Sequence, residues 1–343
     1  MTECAYLLSV CITSYKRVRE LQRCLNSIDA SQNGLVEVVV SEDDSPQRAE
    51  IQDLVSRYAE TSPYHVVFNT NEQNLGYDRN LKKLIMLASG EYIMFLSDDD
   101  CLFPGKLDEF ITCIQEQKPA MAYGSFWYGY DEKKRVRRNY STSHIISKGE
   151  EVVSRRVYDA ILFSGLTFRR SYLTDIDAER FKNTNYFQVY LFLSVIYQYG
   201  GYYHDTLLID SVSDGENAYG RVESSGDDND LLADRESVFS NIEFNRGLFR
   251  VIQMFDADFG TCVYRRFCKE YSLRSFGGLC RARKHGLDTY TEYWCRLKDS
   301  GVKLSPVAYF YYGMLGLFGS RFSKALFSVP KSILLSVRKH NLT

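Results

Sequence analysis

Apolar runs that fit strands alternate with amphipathic runs that fit helices over the first 125 or so residues of this 343-residue chain. Such alternation predicts a parallel sheet with helices on both faces, because parallel neighbours need a crossover that packs back onto the sheet. Ligands of such sheets bind beyond the carboxyl ends of the strands. The predicted strands are 6–12, 35–40, 64–68 and one from Glu91, and the predicted helices are 18–30, 47–60, 78–89 and 107–117.

Three consecutive carboxylates follow one of these strands. Residues 90–100 read GEYIMFLSDDD, and a buried strand cannot carry three acids, so Asp98, Asp99 and Asp100 are expected at its exit. Two unit charges ~4 Å apart repel by about 4 kcal/mol at an effective dielectric constant of ~20. A divalent cation, Mg²⁺ or Mn²⁺, would relieve that repulsion through hard oxygen ligands. A solvated acidic turn is the alternative interpretation of such a triplet.

A turn with an arginine lies shortly before this strand. Residues 74–80 read NLGYDRN, and Arg79 lies in the first turn of the predicted helix over 78–89. A guanidinium group matches the geometry of phosphate oxygens, so Arg79 is able to meet a diphosphate. The strand, the acids, the turn and the arginine together indicate a nucleotide-sugar site.

Composition and cysteine usage indicate a cytoplasmic globular protein. The apolar content of 45% and the charged content of 25% are ordinary for a soluble domain. The nine cysteines form no C-x-x-C pair and no metal spacing with histidine, which argues against a zinc module or a disulfide framework. We expect reduced thiols, no signal peptide and no membrane span, since no apolar run reaches ~18 residues.

The charge is divided unevenly along the chain. The net charge of −2 combines −12 over residues 1–240 with +10 over residues 241–343, and residues 301–343 hold six Lys or Arg and no acid. Residues 307–318 are dense in Tyr, Phe, Leu and Met. Such segments suit a helix lying in the headgroup layer of a membrane. The alternative is packing on the catalytic domain or on a second subunit, and the pattern indicates no oligomeric state.

Two domains are predicted. Residues 1–232 are expected to form the nucleotide-sugar-binding and catalytic domain, and residues 233–343 a mainly helical domain with the basic aromatic tail. In the first domain, 120–130 and 202–210 read as strands, 184–199 as a helix, and 211–234 as a polar loop over the site. Nothing in the sequence indicates nucleic-acid binding.

The ordered motifs of the first 215 or so residues resemble those of family 2 glycosyltransferases. These are inverting enzymes of GT-A fold that move a sugar from a nucleotide donor, and within the family the chain is most similar to bacterial O-antigen transferases of the abequosyltransferase kind. The resemblance is carried by 9–17 (SVCITSYKR), 39–43 (VVSED), 74–80 (NLGYDRN) and 90–100 (GEYIMFLSDDD).

The resemblance implies a partner set and a location. It implies a nucleotide-sugar donor and a saccharide acceptor, such as a polyprenyl-diphosphate-linked intermediate of lipopolysaccharide or other surface polysaccharide. An acceptor of that kind places the protein on the inner face of the bacterial cytoplasmic membrane.

The resemblance also implies roles for individual residues. The D-x-D motif of the family falls on residues 97–99, with Ser97 in place of the first acid. Asp99 is then the direct ligand of Mn²⁺ or Mg²⁺, Asp98 faces the ribose or the donor sugar, and Asp100 supports the metal. The other implied nucleotide-sugar-binding residues are Thr13, Tyr15, Arg17, Glu42 (where the family usually has Asp), Asp43, Asn74, Gly76 and Arg79.

The catalytic base has no acid at its usual place. Many relatives open the helix near residue 184 with a Glu-Asp pair, but this chain reads TNYFQ over 184–188. The candidates for the base are therefore Asp214 and Glu216 in the predicted loop, with Asp177 behind them. A carboxylate within hydrogen-bond reach of the acceptor hydroxyl is what the chemistry requires.

Two other functions compete with glycosyl transfer. A sugar-1-phosphate nucleotidyltransferase also places metal-binding acids on an α/β nucleotide domain, but residues 13–17, TSYKR, lack the glycine expected in its loop. A non-catalytic nucleotide-binding protein on a transferase fold is favoured by Ser97 and by the missing Glu-Asp pair.

Overall fold

The computed structural model describes residues 5–128, 136–138, 140, 142–212, 235–321 and 323. Contacts within the chain divide it into two compact units, one made of residues 1–216 with 250–263 and the other of residues 217–249 with 264–343. The predicted boundary between residues 232 and 233 lies outside the described residues, and so does most of the predicted loop over 211–234.

The first unit is built on one mixed sheet. Its strand order is β3-β2-β1-β4-β9-β6-β10-β5, with β7 beside β6 and β8 beside β10. The strands are β1 Leu8–Ser14, β2 Val36–Glu42, β3 His65–Thr70, β4 Tyr92–Ser97, β5 Cys101–Leu102, β6 Met121–Tyr128, β7 Val136–Arg138, β8 His144–Ile146, β9 Thr167–Arg169 and β10 Gly201–Ser211.

Strands β3, β2, β1 and β4 are parallel neighbours, as the strand and helix alternation predicts. The three-residue strand β9 runs antiparallel between β4 and β6, and β6 pairs in parallel with β10. The carboxyl ends of β1, β2 and β4 therefore lie at one edge of the sheet, and the predicted positions of these strands are confirmed to within about two residues.

Helices cover both faces of this sheet. The core on one face joins the alternate apolar residues of β1, β2 and β4 to α1, α2 and α4. Residues of opposite parity, such as Cys11 and Val39, are buried as well, and α3 contacts both β1 and β2. Burial of each such aliphatic side chain stabilises the fold by ~1.5–3 kcal/mol. The helices of this unit include α1 Val18–Asn26, α2 Arg48–Thr61, α3 Tyr77–Leu87, α4 Lys106–Gln117, α5 Glu150–Arg156 and α6 Phe187–Tyr199.

The second unit is helical where the structure describes it. Helix α7 has residues in both units, and a further helix, α11, covers residues 306–321. No helix among the described residues combines the length and apolar character needed to cross a membrane. The cysteines of the described ranges, eight of the nine, form no disulfide with one another. The other helices are α7 Arg235–Phe259, α8 Val263–Arg274, α9 Phe276–Lys284 and α10 Leu287–Asp299.

One face of α11 is apolar and turned to solvent. Tyr309, Phe310 and Leu317 are 53%, 57% and 82% exposed, although these residue types are usually buried. On the opposite side of the helix Ala308 and Leu315 are buried. The helix thus packs through one stripe and presents a second apolar stripe outward.

Candidate functional site

Polar side chains gather where β1, β2 and β4 end. In the sheet register, Thr13 of β1 lies beside Ser41 of β2 and Ser97 of β4. The residues that follow these three strands therefore start from the same level of the sheet edge, as expected for a ligand site on a sheet of this type. Two separate clusters form there, one after β1 and β4 and the other after β2 and β3.

The first cluster, the arginine cluster, consists of Arg17 with Asp98, Asp99 and Asp100. The Nη1 atom of Arg17 lies 2.8 Å from Oδ1 of Asp98 and 3.1 Å from Oδ2 of Asp99. The backbone N–H of Tyr15 donates to Oδ2 of Asp98 at 3.2 Å. One guanidinium thus faces two carboxylates, and the predicted residues Tyr15, Arg17, Asp98 and Asp99 come together.

Hydroxyl groups hold the other oxygens of this cluster. Ser97 donates to Oδ1 of Asp99 at 2.5 Å, and Ser164 donates to Oδ2 of Asp100 at 2.5 Å. The carbonyl oxygen of Asp99 accepts a hydrogen bond from Arg23 at 3.0 Å. The serine that replaces the first acid of the family motif therefore supports Asp99 as a hydrogen-bond donor.

The arginine cluster carries more negative charge than its surroundings neutralise. Asp98, Asp99 and Asp100 are only 3%, 8% and 3% exposed. Burial raises the pKa of Asp98 to about 7, although Arg17 opposes the shift, and burial together with the charge of Asp99 raises the pKa of Asp100 to about 8. An added positive charge would therefore stabilise the ionised cluster.

The donor set suits a hard cation that a substrate also binds. No group of three or more His, Cys, Asp or Glu among the described residues is placed to hold a metal ion alone. Mg²⁺ and Mn²⁺ sites commonly use one or two carboxylates and complete their shell with substrate phosphate and water. Asp99, whose side chain is 12% exposed, is the most accessible carboxylate of the three and fits that arrangement.

The second cluster, the asparagine cluster, is organised by Asp43. Oδ1 of Asp43 accepts hydrogen bonds from the side chain of Asn71 at 2.9 Å and from the N–H of Leu75 at 2.8 Å, and Oδ2 accepts from the N–H of Gly76 at 2.9 Å. Asn71 also donates to Asn80 at 3.0 Å. Asp43 and Gly76, both predicted to bind the nucleotide sugar, are thus brought together, with the Asp43 carboxylate holding the turn before α3.

Glu42 is fully buried and bonds to its own turn. Its carboxylate accepts hydrogen bonds from the N–H of Asp44 at 3.0 Å and of Ser45 at 2.7 Å. The Nε atom of Arg48 lies 3.5 Å from Oε2 of Glu42. The carboxylate of Glu42 therefore shapes the loop after β2.

The turn over residues 74–76 opens α3. Gly76 is the N-cap residue with φ of 78°, a left-handed region that favours glycine, and its N–H also bonds to Asn74 at 3.0 Å. Arg79 donates to the carbonyl oxygen of Leu75 at 2.6 Å and lies 3.8 Å from Glu179. Arg79 thus lies on this turn, whereas Arg17 is the arginine that contacts the aspartates.

One buried carboxylate joins α3 to α6. Asp78 accepts hydrogen bonds from four consecutive N–H groups, those of Thr184 at 2.9 Å, Asn185 at 2.9 Å, Tyr186 at 3.1 Å and Phe187 at 3.0 Å. Tyr186 and Phe187, the N-cap and the first residue of α6, are among the donors that a helix N-terminus leaves without intrahelical partners. The carboxylate that serves the start of α6 is supplied by the neighbouring helix.

The candidate bases are one exposed residue and two residues outside the described ranges. Asp177 is exposed and accepts a hydrogen bond from the N–H of Glu179 at 2.9 Å, in a surface turn. Asp214 and Glu216 lie outside the described residues, and their assignment stays a prediction.

Several contact residues of the site are not identified by the sequence, among them Arg23, Asn71, Ser164 and Asp78. The hydroxyl of Ser164 donates to the Asp100 carboxylate and accepts a hydrogen bond from the backbone N–H of Ser97 at 3.0 Å. Ser164 lies in a loop without a recognisable motif. Asp78 was interpreted as part of the turn with Arg79. The signal for its role is an acid in the first turn of α3, 109 residues before Phe187, where the helix that it caps begins.

The family model for glycosyl transferase family 2 matches residues 9–177. These residues form a family 2 glycosyltransferase domain. The match contains β1, β2, β4 and both clusters at the sheet edge. It therefore confirms the family that the ordered sequence motifs indicate.

Curated relatives match over about a third of this chain. The abequosyltransferase RfbV of Salmonella typhimurium is 26% identical over 111 residues, 32% of this chain and 33% of that protein. An uncharacterised protein of Mycobacterium tuberculosis is 33% identical over 118 residues, 34% of this chain and 35% of that protein. An uncharacterised glycosyltransferase of Haemophilus influenzae is 29% identical over 113 residues, 33% of this chain and 36% of that protein. The chain thus spans about a third of the length of these relatives.

Solved structures agree in fold. Crystal structures of S. aureus TarS residues 1–349, alone and in complex with UDP, superpose with TM-scores of 0.51 and 0.52 at 16% and 14% identity. Each comparison covers 90% of this chain and 91% of the other. At such identities the similarity concerns the fold, and the GT-A fold that the resemblance implied is confirmed.

Proposed function

We propose that the protein is an inverting glycosyltransferase that moves a sugar from a nucleotide-sugar donor to a saccharide acceptor. The observation that carries the proposal is the arginine cluster, Arg17 with Asp98, Asp99 and Asp100, at the carboxyl edge of the sheet in a family 2 domain. The similarity to an abequosyltransferase supports the reaction class, and the complex of S. aureus TarS with UDP supports a nucleotide-sugar donor.

The arginine cluster has the charges that a departing nucleoside diphosphate needs. Breaking the bond between the sugar and the diphosphate places negative charge on the leaving oxygen, and preorganised positive charge there lowers the barrier. Arg17 holds one positive charge between Asp98 and Asp99. A divalent cation held by Asp99, with Asp100 behind it, would supply Lewis-acid stabilisation of the same oxygens.

The rest of the sheet edge is proposed to bind the donor. Thr13 and Tyr15, at the end of β1, would line the nucleotide pocket, and Asp98 would face the ribose or the sugar. The turn over residues 74–76, held by Asp43, would close the other side of that pocket. Base recognition by Glu42 would act through the backbone of the loop that its carboxylate shapes.

The test is turnover of nucleotide sugars by the purified full-length chain. A panel of UDP-, GDP-, CDP- and dTDP-linked sugars is incubated with Mn²⁺ or Mg²⁺, and release of the nucleoside diphosphate is measured. We expect one donor to be consumed and Asp99→Asn to reduce its turnover by at least ~100-fold, since charge stabilisation of this kind is worth ~10²–10³ in rate.

The matched control is Asp53→Asn, which removes an exposed acid on α2. We expect the control to keep wild-type turnover and both variants to keep the wild-type melting temperature. Full activity of Asp99→Asn would contradict the role of the cluster. Release of pyrophosphate from a nucleoside triphosphate and a sugar phosphate would instead indicate a nucleotidyltransferase.

We also propose that the protein associates with an anionic membrane surface through α11, which suits a lipid-linked acceptor such as an O-antigen or surface polysaccharide intermediate. The exposed apolar stripe of α11, Tyr309, Phe310 and Leu317, is followed by basic residues, and residues 301–343 contain no acid. Apolar burial and attraction to anionic headgroups act together in such helices.

Vesicle flotation tests this surface. The full-length chain should float with vesicles that contain phosphatidylglycerol and should remain in solution with pure phosphatidylcholine. Leu317→Glu should abolish flotation, whereas Leu287→Glu, at an exposed leucine of α10, should not. Equal flotation of the wild type and Leu317→Glu would show that α11 is not the contact.

A further inference from the structure

A second carboxylate site lies beside the start of α6, apart from the arginine cluster. Its central residue is Asp159, in the short helical turn Val157–Ala160 that follows α5. Around it stand Tyr123 of β6, Tyr140 and Arg156. None of these residues takes part in the contacts of the arginine cluster or the asparagine cluster, so their arrangement needs an explanation of its own.

Three donors fix one oxygen of Asp159. Tyr123 donates its hydroxyl to Oδ2 at 2.7 Å, Tyr140 donates to the same oxygen at 2.6 Å, and Nη1 of Arg156 lies 3.3 Å from it. Arg156 is itself held, because it donates to the hydroxyl of Tyr123 at 3.0 Å and contacts His144 at 2.9 Å. The side chain of Asp159 is therefore locked in orientation.

The other oxygen is left for a ligand. Within the described part of the chain, every hydrogen bond to the Asp159 carboxylate ends on Oδ2. Oδ1 is not one of the buried polar atoms that lack a hydrogen-bond partner, and 21% of the side chain is exposed to solvent. A carboxylate with one anchored oxygen and one accessible oxygen is preorganised to accept a proton or a hydrogen bond from a hydroxyl group.

Asp159 is linked to the sheet edge through hydrogen bonds and through the chain. Ala160, the next residue, accepts a hydrogen bond from Gln188 at 3.5 Å, and Gln188 in turn accepts from the hydroxyl of Tyr77, the residue after Gly76, at 3.1 Å. Ser164, five residues after Asp159, donates to Asp100 at 2.5 Å. Five residues span at most about 18 Å, which limits how far Asp159 lies from the arginine cluster.

We propose that Oδ1 of Asp159 is the catalytic base that deprotonates the acceptor hydroxyl. The inference rests on the proposed function and names a base that the sequence did not identify. As the acceptor oxygen forms its bond to the anomeric carbon, its proton moves to Oδ1. The bond between that carbon and the phosphate oxygen breaks, and its electron pair leaves with the nucleoside diphosphate.

The surroundings of Asp159 suit this role. Burial raises the pKa of the carboxyl group, while the hydrogen bonds from Tyr140 and Tyr123 and the charge of Arg156 hold the pKa down. A base works best when its pKa approaches the working pH and when it is within hydrogen-bond reach of the proton that it takes. The three donors on Oδ2 favour the ionised form, and Oδ1 remains open to the acceptor.

The test compares Asp159→Asn with the wild type on the donor that the turnover panel identifies, with water as acceptor. We expect kcat to fall by ~10²–10⁴-fold, the usual contribution of a general base. The dissociation constant for the nucleoside diphosphate should change less than twofold, because Asp159 is not in the arginine cluster. Asp159→Ala should regain activity when sodium formate is added, since formate can enter the vacated space and take the proton.

The control is Glu151→Gln, which neutralises an exposed acid on α5 and should keep the kcat and the melting temperature of the wild type. The melting temperature of each variant is measured beside kcat, so that a loss of activity through unfolding is recognised. An Asp159→Asn variant with near wild-type kcat would overturn the inference and leave the proposed function intact. A folded Asp159→Ala variant that formate does not rescue would also overturn it. If the wild type consumes no donor, the proposed function fails first, and the inference falls with it.

Discussion

The two clusters at the sheet edge use similar polar residues in opposite ways. In the asparagine cluster Asp43 is saturated by backbone N–H groups and amides, so its charge is spread over neutral donors. In the arginine cluster one guanidinium serves two carboxylates, and a third, Asp100, bonds to Ser164. The first arrangement is complete within the protein, whereas the second leaves negative charge that a ligand can neutralise.

The difference separates a scaffold from a binding site. Buried polar groups that find all their partners stabilise one conformation of the loop that carries them. Buried like charges that do not find enough partners cost stability, and such costs concentrate at functional positions. The two clusters should therefore respond differently to substitution, with stability changes dominating in one and ligand dependence in the other.

Removing the guanidinium of Arg17, which Asp98 and Asp99 share, should have the largest effect on stability. Arg17→Met leaves Asp98 and Asp99 buried without their guanidinium, so we expect a loss of ~3–5 kcal/mol in the free energy of unfolding. Donor turnover should fall as well. Urea denaturation measures the first effect, and Arg17→Lys, which keeps the charge, should recover part of both. A loss below ~1 kcal/mol would show that the aspartates are neutral without Arg17.

Removing the central carboxylate of the asparagine cluster should have the second-largest effect on stability. Asp43→Ala removes the acceptor of the Leu75 N–H and one of two acceptors of the Asn71 side chain and of the Gly76 N–H, at a cost of ~1–3 kcal/mol in unfolding free energy. Mn²⁺ should not restore this loss. Asp43→Asn keeps one acceptor oxygen and should lose about half as much. If added Mn²⁺ restored Asp43→Ala, the two clusters would not be separate in function.

The smallest predicted effect concerns pH. The pKa of Asp100 is raised to about 8 in the folded protein from ~3.9 in an unfolded chain, so its contribution to stability is present below pH ~4 and is lost as the pH rises toward 8. In EDTA, Asp100→Asn should therefore be more stable than the wild type at pH 8, by at least ~1 kcal/mol.

Thermal denaturation at two pH values measures this difference. The two proteins should melt alike at about pH 3, below the pKa of ~3.9 of the unfolded chain, where Asp100 is mostly protonated in both states. Mn²⁺ should raise the melting temperature of the wild type at pH 8 more than that of Asp100→Asn, because the ion stabilises the charged carboxylate. Equal melting temperatures at pH 8 in EDTA would show that the Asp100 charge is already neutralised.

The sheet was predictable because hydrophobic periodicity determines it locally. The predicted strand over residues 35–40 appears as Val36–Glu42, and the predicted helix over 107–117 as Lys106–Gln117. The antiparallel insertion of β9 was not predicted. Thr167–Arg169 is only three residues long, too short to show a period, and its place depends on pairing with β4 and β6.

The site was predictable in part, for a similar reason. Asp98 and Asp99 stand in an ordered motif, and their meeting with Arg17 follows from the adjacency of β1 and β4. The contacts of Ser164 and Asp159 depend on loops whose course no local pattern encodes. Whether an acid is saturated, as Asp43 is, depends on backbone N–H groups that carry no residue-type signal.

The capping of α6 by Asp78 has a consequence for exchanging parts between related proteins. The side chain that completes the start of α6 belongs to a different helix, so residues 74–88 and residues 184–190 form one exchangeable module. A chimera that imports either segment alone would remove the acceptor that four peptide N–H groups share, or would leave one buried carboxylate without those donors. Both segments have to be exchanged in the same chimera.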